Sequence, residues 1–166
     1  VPGDLQYPEI IKSVCEAVGD DAIICNGAGN YAAFLHRSYT YRDYRTQLAP
    51  TSGSMGYGVP AAVAAKLASP SKTVVAFAGD GCFMMTSHEL ATAMQYDPPL
   101  IMIVVNNGLY GTIRLPQERS YPGRVVGTRL VNPDFAAFGR SFGAPRQTVT
   151  TTEEFMPAIE RARASR

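Results

Sequence analysis

TVVAFAGDG (73–81) starts as a β-branched, apolar run from Thr73 to Ala78 and ends in a Gly-Asp-Gly turn. A continuous apolar run closed by a turn reads as a strand covered on both faces. LIMIVVNNGLYG (100–111) repeats the pattern, with a strand from Leu100 to Val105 and then an Asn-Asn-Gly loop. A helix is expected between them, from about Cys82 to Tyr96. Upstream, Ala22-Ile23-Ile24-Cys25 is a short strand that runs into a Gly-containing loop. The Ala-rich segment 56–69 predicts a closely packed helix. Residues 8–18 carry helical spacing at Ile10, Ile11, Val14 and Val18. Downstream, residues 133–142 predict a helix opened by Pro133 with Asn132 as cap. Gln147 to Thr150 reads as a last strand. Thr152 to about Ala164 reads as a last helix, with Thr152 as cap and Glu153 and Glu154 in its first turn.

Apolar strands alternating with helices predict an α/β fold: a doubly wound, mostly parallel sheet with helices on both faces. The 166 residues suit one domain spanning 1–166. Sheets of this kind bind ligands outside the carboxyl ends of their strands. The places to search are therefore just after Cys25, Ala78 and Val105.

A formal net charge of +1 gives no global field toward nucleic acid or a membrane. No apolar run approaches the roughly 20 residues of a spanning helix. Val1-Pro2-Gly3-Asp4 lacks the features of a signal peptide. Cys15, Cys25 and Cys82 are odd in number and show no CxxC spacing, which points away from a disulfide framework or zinc site and toward a reducing cytoplasm. Arg37 to Arg45 (RSYTYRDYR) interleaves aromatic and basic residues; a connecting loop or subunit contact is favoured over a nucleic-acid patch. His36 and His88 show no evident partner and receive no role.

The turn after Ala78 combines two glycines, which permit close approach of a ligand, with the hard carboxylate of Asp80. The helix that follows presents free N–H groups and a positive dipole end, suited to phosphate. The loop after Val105 offers the amide oxygen of Asn107 and exposed backbone groups through Gly111. One carboxylate, one amide oxygen and one carbonyl suit octahedral Mg²⁺ better than zinc. A Gly-Asp-Gly turn or an Asn-Asn-Gly loop alone is common on surfaces. The pair, separated by one helix and one strand, is far more specific.

Gly79-Asp80-Gly81 followed by Asn106-Asn107 resembles the signature of enzymes dependent on thiamine diphosphate (ThDP). TSGSMGYGVPAAVAAKLASPSKTVVAFAGDGCFMMTSHELATAMQ (51–95) is similar to the acetolactate synthase and 2-oxo acid decarboxylase group. The resemblance implies Asp80, Asn107 and the Leu109 carbonyl as Mg²⁺ ligands. It implies diphosphate contacts at Gly81 and Cys82, with Gly29 and Asn30 of the loop after Cys25 as further candidates, and cofactor-binding roles for Gly79 and Gly111. The Gly53 carbonyl would meet the aminopyrimidine, and Met55 would bend the cofactor so that proton removal becomes intramolecular. The cofactor carries the chemistry, taking up the electrons released when a 2-oxo acid substrate loses CO₂.

The glutamate that the family needs against the pyrimidine ring is not matched by Glu89 or Glu118. The resemblance places it on a pyrimidine-binding domain, on the other subunit of a dimer. The chain then carries half a site, reads as a piece of a longer multidomain lyase or transferase, and is expected to be inactive alone. The alternatives are a non-catalytic Mg²⁺/phosphate module and a natural subunit of a split decarboxylase. Ile113 and Arg114 are candidates to face substrate, Arg114 by pairing with a carboxylate. Arg119 to Asn132 reads as either a lid or a plain surface loop.

Overall fold

The computed structural model of the chain describes residues 3–97 and 99–164. Val1 and Pro2 of the N-terminal reading lie outside them. The chain runs α1 (Tyr7–Ala17), β1 (Ile23–Asn26), α2 (Asn30–Ser38), β2 (Gln47–Leu48), α3 (Gly58–Ala68), β3 (Val74–Gly79), α4 (Asp80–Met84), α5 (Glu89–Tyr96), β4 (Ile101–Val105), α6 (Gly111–Ser120), α7 (Phe135–Ser141) and α8 (Phe155–Ala164). The strands form one parallel sheet in the order β2-β1-β3-β4.

Alternation along β3 explains the two-sided cover. Val75 and Phe77 join Ile24, α1, α2 and α8 on one face, through Ile11, Val14, Leu35 and Ile159. Val74 and Ala76 point the other way, onto Ala62 and Ala65 of α3. Ala78 continues that face into Val59, Phe83 and Leu90, with Phe135, Phe138 and Phe142 packed against them. Small residues on both partners let α3 lie close to the sheet. β4 is the outer strand, and all five of its residues are half-buried. No helix among the described residues is long and apolar enough to cross a membrane.

The strand order sets the site. From β1 the chain steps to β2 on one side and then returns to β3 on the other, so the loops after β1 and β3 leave in opposite senses. The crevice between them is the switch point at which doubly wound sheets bind ligands.

Four expectations need correction. The helix foreseen over 82–96 is two pieces, because Thr86 turns its hydroxyl to the Gly56 carbonyl at 2.9 Å and the backbone tightens there into Thr86→Phe83 and Glu89→Thr86 bonds. The helix at 133–142 is capped by Asp134, whose side chain accepts from the Ala137 amide at 3.0 Å, not by Asn132. Gln147 to Thr150 forms no ladder: Gln147 binds Arg161, and the Thr150 and Thr151 amides donate to Glu154. Thr152 does not cap α8 with its side chain. Its hydroxyl accepts from the Gln6 amide and donates to the Asp4 carbonyl, tying the two ends of the chain together.

Candidate cofactor and cation site

Asp80 is the first residue of α4, directly after β3, and is only 3% exposed. Its Oδ1 accepts from the Gly81 amide at 2.9 Å. Its Oδ2 accepts from the Gly108 amide at 2.8 Å and from Asn132 Nδ2 at 2.7 Å. Among the described residues it makes no ion pair, so a buried carboxylate is held by N–H donors alone. Those donors fix the orientation of the carboxyl group beside the Asn106–Gly111 loop.

β3 and β4 pair up to Gly79↔Val105, which brings Asp80 and the Asn106–Gly111 loop to neighbouring strand tips. Asn107 Oδ1 accepts from the Leu109 amide at 3.2 Å, closing an Asx-type turn. The Leu109 carbonyl accepts from the Gly111 amide at 3.0 Å. A segment from Thr128 to Asn132 straps this loop. The Tyr110 amide donates to the Thr128 carbonyl, the Leu130 amide to the Gly108 carbonyl, and Leu109 bridges Arg129 antiparallel. Arg119 to Asn132 is therefore not one lid: its start belongs to α6 and its end is hydrogen-bonded to the loop.

The third tip is Gly27 to Asn30. Asn30 Oδ1 accepts from the Thr112 hydroxyl at 3.0 Å, joining α2 to the first turn of α6. Cys82, on the tip after β3, joins this tip to its own and to the segment before α3. Its Sγ accepts from the Gly56 amide at 2.9 Å and lies 3.5 Å from the Tyr31 hydroxyl. Burial, with the Cys82 hydrogen bond adding to it, pushes the Tyr31 phenol well above its ordinary range.

A cleft opens between the three tips. Every residue singled out for cofactor or cation lines it except Gly53: Gly29, Asn30, Met55, Gly79, Asp80, Gly81, Cys82, Asn107, Leu109 and Gly111. Gly53 is exposed and lies outside the cleft wall, at φ +69°. Tyr31, Tyr110, Thr112 and Ile113 line the cleft as well. Thr112 and Tyr31 escape a sequence reading because nothing local marks a residue that reaches across to another loop. Asn132 was hidden by its place before Pro133, which imitates a helix start.

Other candidates fall elsewhere. Arg114 pairs with Glu118 at 2.7 Å on α6, one turn along, instead of facing the cleft. Arg42 pairs with Asp20, while the rings of Tyr39 and Tyr41 meet at a tilt and pack on the core, so the basic-aromatic stretch is a connecting loop. Both histidines have partners: His36 Nε2 meets Asn26 Oδ1 at 3.2 Å, and His88 lies 3.8 Å from Glu89.

Residues 27–166 match the family described as thiamine pyrophosphate enzyme, C-terminal TPP binding domain. The chain belongs to this family. As a TPP-binding domain it is 40% identical to the acetolactate synthase large subunit of Corynebacterium glutamicum, covering 98% of this chain and 27% of that protein. It is 35% identical to the large subunit from Lactococcus lactis, over 84% of this chain and 25% of that one. A solved ThDP-dependent 4-hydroxybenzoylformate decarboxylase from Rhodococcus jostii superposes with a TM-score of 0.91 at 30% identity, covering 99% of this chain and 31% of that one. The TPP-binding domain thus spans about a quarter of the curated relatives' length.

Proposed function

We propose that the chain supplies the diphosphate half of a ThDP site, held through Mg²⁺, in a lyase or transferase that decarboxylates or ligates 2-oxo acids. One observation carries the reading. Asp80, buried and without an ion pair among the described residues, stands at a strand tip and lines one cleft with Asn107 and Leu109 of the neighbouring tip.

That donor set fits a small hard cation. Among the described residues no three His, Cys, Asp or Glu side chains gather to hold a metal by themselves, so an ion at Asp80 would take its other ligands from amide, backbone, water and phosphate oxygens. Gly29, Asn30, Gly79, Gly81, Cys82 and Gly111 would hold the diphosphate; Met55 would support the bend, and the Gly53 carbonyl the aminopyrimidine. When bound, ThDP supplies an electron sink for a 2-oxo acid that loses CO₂. The chain's own residues fix the charged end of the cofactor and wall the cleft with apolar Met55 and Ile113. The named relatives act at a product or substrate of this chemistry: one is a synthase of acetolactate, and 4-hydroxybenzoylformate is itself a 2-oxo acid.

The rest of the site belongs to a pyrimidine-binding domain carrying a glutamate, on the other subunit of a dimer. α6 buries none of its residues and exposes Ile113, Leu115 and, just beyond it, Tyr121, a surface suited to such a partner. The unpaired thiols of Cys15, Cys25 and Cys82 fit the cytoplasm. Calorimetric titration with ThDP tests the proposal. Binding should require Mg²⁺ and vanish in Asp80→Ala. Indifference to ThDP, with Mg²⁺ still bound, would point to a non-catalytic module instead.

A further inference from the structure

Asp80 spreads its hydrogen bonds unevenly. Oδ2 takes two donors, the Gly108 amide and Asn132 Nδ2, whereas Oδ1 takes only the amide of the next residue, Gly81. Asn132 uses its second hydrogen on Asn106 Oδ1 at 2.9 Å. The orientation of this amide is forced, because a carboxylate has no hydrogen to give and Asn132 must turn its NH₂ toward it. A carboxylate oxygen has two in-plane lone pairs. Both on Oδ2 are engaged, and one on Oδ1 is open.

We infer that Asn132 is a positioning residue that makes Asp80 a one-oxygen ligand and so biases the site toward Mg²⁺ over Ca²⁺. The inference rests on the cation reading above. Mg²⁺ takes single oxygens at octahedral corners, whereas Ca²⁺ accepts a carboxylate through both. The strap from Thr128 to Asn132 fixes this arrangement through bonds to Gly108, Tyr110 and Asp80 that all lie within the protein. Partners that orient a metal ligand typically change metal affinity about 10–100-fold when removed.

The test is titration of Mg²⁺ and of Ca²⁺ at saturating ThDP, in the parent chain and in Asn132→Ala and Asn132→Leu, with the melting temperature of each cation-free protein recorded. Both variants should need about 10–100-fold more Mg²⁺ and lose much less affinity for Ca²⁺. Unchanged Mg²⁺ demand, or equal losses for the two ions, would overturn the inference and leave the cofactor site standing. Collapse of both cation-free variants would also overturn it, since Asn132 would then serve the fold. A parent chain that takes up neither ion with ThDP would remove the cofactor reading itself.

Discussion

Gly58 and Gly27 meet backbone to backbone: a Cβ on Gly58 would lie 2.8 Å from the Gly27 amide nitrogen and 2.9 Å from the Asn26 carbonyl carbon. The first turn of α3 is thereby seated against the loop that lines the cleft. Gly58→Ala has no flexible side chain to push aside. It should cost about 1–3 kcal/mol, toward the upper end, as overpacking against rigid atoms does. Urea unfolding measures it; a loss below about 0.5 kcal/mol would mean that α3 can slide.

Gly81 presents the contrasting case. A Cβ there would strike the ring of Tyr110, a side chain that can be trimmed. Gly81→Ala should destabilise the protein, and adding Tyr110→Ala should recover part of the loss. A double-mutant cycle with no coupling would show that the ring does not set the approach.

Ligand binding should appear as added stability. With Mg²⁺ present and ThDP at about 100 times its Kd, the chain should gain about 2.7 kcal/mol against unfolding. In Asp80→Ala the gain should be absent. A thermal-shift series checks this, and an equal shift in the variant would separate Asp80 from the cofactor.

Alkaline pH should weaken the fold in a defined window. Burial pushes the Cys25 thiol from 9.0 up to about 12. Folded chains then keep a proton that unfolded chains release above about pH 9, so the contribution is complete below that pH, falls as pH rises, and is lost near 12. Tyr39, raised from 10.0 to about 12 mainly by burial, adds to the decline from higher pH. Between about pH 8 and 10, Cys25→Ala should lose stability less steeply than the parent. Parallel urea-midpoint curves would contradict the assignment.

Turnover should need a second polypeptide region. The chain alone should not consume a 2-oxo acid, and mixing it with a pyrimidine-binding domain that carries the missing glutamate should restore consumption. CO₂ release by the 166 residues alone would refute the half-site reading.

The sheet was legible because its signals are local. The runs ending at Cys25, Ala78 and Val105 each became a parallel strand within a residue or so of its expected end. The cleft was legible because glycines and hard oxygens cluster just after those runs. What failed depended on partners distant in sequence. Thr86 leaves its helix for Gly56, Thr152 leaves its cap for the N-terminal segment, and Asn132 leaves its cap for Asp80. A short polar side chain carries the same local propensity whether it caps a helix or reaches another loop, and only the tertiary structure decides.

Among the described residues β4 has a strand on one flank only, and its sequence Ile-Met-Ile-Val-Val carries neither charge nor proline. Such a rim is a template for a further copy of the same ribbon. Concentrated stocks of the unaccompanied chain should therefore cloud with age.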